Sequence, residues 1–173
     1  MNINILKVGY LKTNCYIVER NNSILIVDPG DDIELIKEKI KDKNIEGILI
    51  THYHFDHVGA LDELKKQFNC PVYDYHTLDE TIIELNNFKF KVLHTPGHTS
   101  DSVTFDFFEQ KVMFVGDFIF KDSIGRTDLE TGNMDIMKMS IDRIKKHNDT
   151  KIYPGHGPET TLDYEKDNNI YFI

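Results

Sequence analysis

The stretch ILITHYHFDHVGAL, Ile48 to Leu61, sets His52, His54, Asp56 and His57 within six consecutive positions directly after an apolar run. Ile48 to Ile50 reads as a strand and Val58 onward as a helix, so these ionisable residues occupy a strand-to-helix turn. Residues two apart in an extended segment point the same way. His52 and His54 can therefore converge on one point while Asp56 and His57 aim at a neighbouring one. A lone histidine here would read as a hydrogen-bonded surface or core residue. Four such residues in one turn predict two adjacent metal sites instead.

The rest of the chain supplies a frame for that turn. Asn4 to Val8, Cys15 to Val18, Ser23 to Val27 and Gly47 to Ile50 read as strands separated by turn residues such as ERNNS. FKFKVLHT, SVTFDFF and KVMFVGD give three more, the first with the strict alternation of a half-buried sheet. Helical spacing marks Ile33, Ile36 and Ile40 after DPGDD, then Val58, Leu61, Leu64 and Phe68, then Met134, Met137, Ile141 and Ile144. Those stripes are read as core, the methionines included. The pattern is α/β with strands at both ends of the chain. With 173 residues, 40% of them hydrophobic, it is expected to form one domain over residues 1–173.

Composition removes several functions. A net charge of −9 offers no basic patch on which phosphates could release counterions, which argues against nucleic acid and anionic membranes as partners. No window approaches a membrane span, and MNINILKVGY lacks the order of a secretory signal, so a cytosolic location is expected. Cys15 and Cys70 are read as buried reduced thiols rather than a disulfide or a nucleophile.

Two metals need more ligands than one turn provides, and the ends of other strands supply them. HTPGHTSDS offers His94 and His98, FVGD offers Asp117 and IYPGHGP offers His156, each beside a glycine that lets backbone pass close to a ligand cluster. Structural zinc sites are closed and usually rich in Cys. A His/Asp set without Cys points to catalytic metals with open positions. A divalent metal lowers the pKa of bound water from 15.7 to about 7, which makes hydroxide available near neutrality, and hydrolysis is the natural outcome. No Ser or Cys nucleophile is required.

The series T-H-x-H-x-D-H, H-T-P-G-H-T, G-D and P-G-H-G resembles, in order and over essentially the whole chain, the motifs of metallo-β-lactamase-fold hydrolases. The resemblance implies an α+β fold, a four-layer αβ/βα sandwich of two mixed sheets face to face with helices outside. It also implies a binuclear site in which His52, His54 and His98 hold one ion, Asp56, His57 and His156 the other, and Asp117 bridges them. Asp56 is the candidate catalytic carboxylate. The expected cofactors are two divalent ions, zinc first, with iron or manganese as the other candidates. GDFIFKDSIGRTDLETGN and PGHGPETTLDYEKDNN are similar to the short, single-domain branch of glyoxalase II-like thioester hydrolases. The implied partner is a small-molecule thioester, S-2-hydroxyacylglutathione or a similar thiol ester, cleaved by a metal-bridging hydroxide. Long glyoxalase II enzymes add a basic helical domain that grips glutathione, whereas this chain ends soon after His156.

Other residues receive plainer readings. His94 is expected to make a structural hydrogen bond, His76 and His147 to be structural, and Tyr153 to pack. Arg126 lies in the loop after Asp117 and can pass the mouth of the site, where a guanidinium could hold a substrate carboxylate bidentately or pair with Asp128. Three rival functions stand beside thioester hydrolysis: a mononuclear iron persulfide dioxygenase of the same fold, a lactonase or phosphodiesterase of that fold, and a non-catalytic metal-binding module. The GRTD element occurs in the first of these as well.

Overall fold

The computed structural model describes residues 1–173. Its first sheet runs β1 (Asn2–Val8), β2 (Thr13–Arg20), β3 (Ser23–Val27), β4 (Asn44–Leu49) and β5 (Val72–Tyr73), with spatial order equal to chain order. The β1–β2 and β2–β3 pairs are antiparallel, whereas β3–β4 and β4–β5 are parallel. Parallel neighbours need crossovers, and these carry α1 (Ile33–Ile40), α2 (Phe55–Val58) and α3 (Leu61–Phe68). The second sheet opens with an antiparallel meander of β6 (Ile82–Glu84), β7 (Lys89–His94), β8 (Val103–Phe107) and β9 (Val112–Gly116). After the small hairpin β10 (Ile119–Phe120) and β11 (Ser123–Ile124), α4 (Met134–Ile144) crosses to β12 (Lys151–Pro154), parallel to β9. β13 (Thr160–Thr161) pairs with β12, and α5 (Leu162–Asn168) follows.

Strand alternation builds the layers. Tyr16, Val18, Leu25, Val27 and Leu49 face Phe90, Val92, Phe105, Phe107 and Phe114 in one core between the sheets. The intervening residues point outward. Cys15, Ile17, Ile24 and Ile26 pack with Ile36, Ile40, Leu61 and Leu64 of α1 and α3. Met113, Val115 and Ile152 pack with Met137, Ile141, Ile144 and Leu162 of α4 and α5. The central strands are therefore apolar on both faces, which is why they read as continuous hydrophobic runs. The result is a four-layer αβ/βα sandwich. No helix is long and apolar enough to cross a membrane.

The structure adds the short strands β6, β10, β11 and β13 to those read from the sequence, and it departs from that reading at two further points. The helix expected from Val58 to Phe68 is two pieces, broken at Gly59 and Ala60. A Cβ at Gly59 would stand 2.2 Å from the Gly30 carbonyl oxygen, and the Ala60 N–H donates to Pro29 O at 2.9 Å, so the chain turns aside to pack on the β3–α1 loop. The C-terminal part is not a strand either. It forms α5, capped by the Thr161 hydroxyl, which accepts from Tyr164 N–H.

Candidate metal centre

The C-terminal ends of β3, β4, β7, β9 and β12 lie at one edge of the sandwich, because β3 and β4 run parallel, as do β9 and β12, and two antiparallel steps restore β7 to the direction of β9. Brought together there are His52, His54, Asp56 and His57 after β4, His98 after β7, Asp117 after β9 and His156 after β12. His52 to His54 is extended, with His54 at φ −64° and ψ 144°, and Asp56 and His57 sit on the single turn of α2. The two pairs enter adjacent ligand groups, and His52 also stays beside His57, their ring centroids 4.1 Å apart.

His54 Nδ1 lies 3.1 Å from His52 Nε2 and 3.0 Å from His98 Nε2. The outward nitrogens of these two neighbours are occupied. His98 Nδ1 donates to the Arg126 carbonyl oxygen at 2.7 Å, and His52 Nδ1 is 3.1 Å from the Thr51 hydroxyl, which itself donates to Asp28 Oδ2 at 2.6 Å. Both Nε2 atoms therefore present lone pairs inward, and one Nδ1–H on His54 can satisfy only one of them. A cation satisfies all three.

The second group has the same logic. His57 Nδ1 bonds Asp28 Oδ2 at 3.0 Å, and its Nε2 faces Asp56 Oδ2 at 3.5 Å and Asp117 Oδ1 at 3.4 Å. His156 Nε2 stands 3.2 Å from Asp56 Oδ2. His57 Nε2 and Asp117 Oδ1 are buried with no hydrogen-bond partner, a costly state unless an ion fills the gap. Burial works against an imidazolium at His57, yet the charges of Asp28 and Asp117 outweigh it and hold the group up at about 10. Burial and neighbouring histidines push His52 well below its ordinary value. Carboxylates thus demand positive charge here, and a divalent ion meets that demand in place of a proton. Gly155 keeps the space open: a Cβ there would stand 2.2 Å from Asp117 Oδ1 and 2.7 Å from His57 Cε1. The donor set and its orphaned atoms fit two adjacent metal ions.

The remaining residues fall as follows. His94 Nε2 bonds the Thr77 carbonyl oxygen at 2.8 Å, the His76 ring lies tilted against Tyr75 at 4.0 Å, and His147 Nδ1 lies 3.8 Å from Asp106 Oδ2. Tyr153 packs between Phe114 and Tyr16. Cys15 and Cys70 are both free thiols, but only Cys15 is buried; Cys70 is half-buried, unlike the buried thiol expected. The Arg126 guanidinium is held by Asp128 through two bonds of 2.7 Å and is exposed, while its main chain serves His98. Sequence reasoning missed Asp28, which accepts from Thr51 N–H at 2.8 Å as well as from Thr51 Oγ1 and His57. Its one signal was an acid closing the apolar run SILIV. In DPGDD it passed as part of a helix start.

Residues 8–83 and 75–156 match the model of the metallo-beta-lactamase superfamily. A Haemophilus influenzae protein named hydroxyacylglutathione hydrolase GloC is 31% identical, and the match spans 99% of this chain and 98% of that protein. Among solved structures, the B3 metallo-beta-lactamase BLEG-1 has a TM-score of 0.92 at 31% identity, covering 99% of both chains. TTHA1623, solved in a di-iron-bound form, has a TM-score of 0.86 at 31% identity, covering 97% of this chain and 99% of that one.

Proposed function

The chain belongs to the metallo-beta-lactamase superfamily of hydrolases, and on that footing we propose that it is a binuclear metal-dependent thioesterase acting as one domain on S-2-hydroxyacylglutathione or a similar small thiol ester. The observation that carries the reading is two adjacent ligand groups, His52, His54 and His98 beside Asp56, His57 and His156, with Asp117 3.4 Å from His57 and 3.6 Å from both His98 and His156. His52 Nε2, His54 Nδ1 and His98 Nε2 would hold one ion and Asp56, His57 Nε2 and His156 Nε2 the other, with Asp117 shared. Divalent ions there supply Lewis acidity toward a carbonyl oxygen and bring the pKa of water to about 7.

The chain's own residues prepare that chemistry. Thr51 and the Arg126 carbonyl oxygen fix the His52 and His98 tautomers, and Asp28 fixes His57, so each ring offers a lone pair where an ion needs it. In the metal-free protein burial pushes the Asp56 carboxyl up, but hydrogen bonds from His156 and Thr13 and the charge of His57 outweigh it, so the carboxylate is already ionised for its roles as ligand and catalytic group. A thiolate departs without a strong general acid, and a thioester needs little beyond these parts. The GloC relative, matched over nearly its whole length, supports the thioester over other acyl substrates. The net charge of −9 supports a small-molecule partner over nucleic acid or membrane.

Zinc is the proposed metal, although TTHA1623 was solved with two irons. Elemental analysis of the purified protein, paired with a panel of thioesters, lactones and phosphodiesters, tests the reading. Two ions per chain with thiol release from thioesters supports it. One tightly held iron with no further zinc uptake, and oxygen consumption on a persulfide, would replace it with the dioxygenase.

A further inference from the structure

The two residues that open β2, Thr13 and Asn14, face the second ligand set and are both buried, at 0% and 1% exposure. Because β2 is antiparallel to β3, its beginning lies where β3 and β4 end. We propose that Thr13 and Asn14 are positioning residues that set the geometry, and hence the metal affinity, of the Asp56–His57–His156 set alone. This inference rests on the binuclear reading above.

Each residue grips a ligand segment from a different sheet. The Thr13 hydroxyl donates to Asp56 Oδ2 at 2.7 Å, which fixes the carboxylate rotamer and leaves that oxygen a second lone pair. Asn14 holds the loop that carries His156. Its backbone N–H donates to Gly155 O at 2.7 Å, and its side-chain Nδ2 donates to Pro154 O at 2.8 Å and to Gly157 O at 3.1 Å. Lys7 Nζ donates to Asn14 Oδ1, which settles the orientation of the amide, and reaches Gly157 O at 3.4 Å.

The same loop is also tied by the Tyr16 hydroxyl, which donates to Pro154 O, and by Gly155 N–H, which donates to Gly116 O at 2.8 Å. Gly157 adopts φ +75°, and a Cβ placed there would find nothing within 4 Å. Among these partners only Asn14 bonds both flanks of His156, Gly155 O before it and Gly157 O after it, so its bonds set where the loop presents that ring. Asp56 follows β4 of the first sheet and His156 follows β12 of the second, so their 3.2 Å approach spans the sandwich. One dipeptide bonded to both segments fixes that span. His52 and His98 are oriented separately, by Thr51 and by the Arg126 carbonyl oxygen, with no bond to Thr13 or Asn14.

The test is zinc titration of chelator-stripped protein against a competing metal dye, with His98→Ala and His156→Ala identifying the two affinities. Thr13→Val, which keeps volume but removes the hydroxyl, and Asn14→Ala are expected to weaken the His156-dependent affinity by about 10- to 100-fold, the usual effect of losing a partner that orients a ligand. The His98-dependent affinity is expected to stay within about threefold. Thr13→Ser should restore the wild-type value. Should Asn14→Ala not yield folded protein, the Thr13→Val and Thr13→Ser pair decides. Two bound ions with both affinities unchanged, or both lowered together, overturns the positioning role while leaving the binuclear reading in place. Uptake of a single ion by the wild-type protein overturns that reading and this assignment with it.

Discussion

Asp117 touches both halves of the site: its Oδ1 faces His57 Nε2 at 3.4 Å, and its Oδ2 lies 3.6 Å from both His98 Nε2 and His156 Nε2. Asp117→Ala is accordingly expected to weaken both ions and remove nearly all turnover, whereas His98→Ala should empty one site. Metal content and turnover measured together check this, and two retained ions with near-normal turnover in Asp117→Ala would refute the shared role. Arg126 poses a different question at the same scale. Its pair with Asp128 is solvent-exposed, and exposed pairs contribute only about 0–1 kcal/mol, so a substrate carboxylate can displace Asp128 at little cost. Because a carboxylate on the thiol carrier lies away from the reacting carbonyl, Arg126→Ala should raise KM about tenfold for a glutathione thioester with kcat nearly unchanged. A neutral thioester should be unaffected. Equal effects on both substrates would assign Arg126 to structure, and the alanine keeps the main-chain bond to His98 in either case.

At the scale of elements, β8 carries a buried acid that the site does not use. Asp106 is 5% exposed, pairs in register with Lys91 of β7 and lies 3.8 Å from His147 Nδ1. Burial raises its pKa to about 6, with Lys91 pulling partly the other way. Between the ordinary value of 3.8 and about 6 the folded state binds more protons than the unfolded one, so stability falls as pH rises through that window. Asp106→Asn should therefore stabilise the protein by about 1–2 kcal/mol at about pH 7, with the gain vanishing near pH 3.5. Thermal unfolding at the two pH values reads this out, and an equal gain at both would trace the effect to packing. The Gly59–Ala60 break belongs to this scale too. Apolar spacing from Val58 to Phe68 announced one helix, but spacing carries no record of the Gly30 carbonyl that the chain must clear.

For the whole molecule, the candidate ligands come from both sheets, so bound metal would cross-link the sandwich at one edge. A ligand that binds only the folded state stabilises it by RT ln(1 + [L]/Kd), about 2.7 kcal/mol at a hundredfold excess over Kd. Stripping the ions with a chelator is expected to lower Tm by about 5–10 °C, reversibly on adding zinc back. A Tm unchanged by chelation in protein shown to have carried two ions would mean that the ligand sets form equally well in the unfolded chain.

The sequence by itself determined the longer strands, and alternation along β2, β3 and β9 splits Tyr16 from Cys15 and Phe114 from Met113, whereas β6, β10, β11 and β13 are too short to show a period and were not legible. It also determined that His52 and His54 enter one ligand group and Asp56 and His57 the adjacent one, which follows from one extended segment entering one helical turn. Alpha5 was not legible, because its stability lies in the buried Glu165 accepting from Asp122 N–H, Thr160 and Asn169 rather than in an apolar stripe. Tertiary structure alone decided that Asp28 serves Thr51 and His57, that Asn14 reaches Pro154 across 140 residues of chain, and that the Arg126 main chain orients His98. Periodicity is a property of neighbours along the chain. A hydrogen bond between two strand ends depends on how the sheets dock, and that docking is set by the whole core at once.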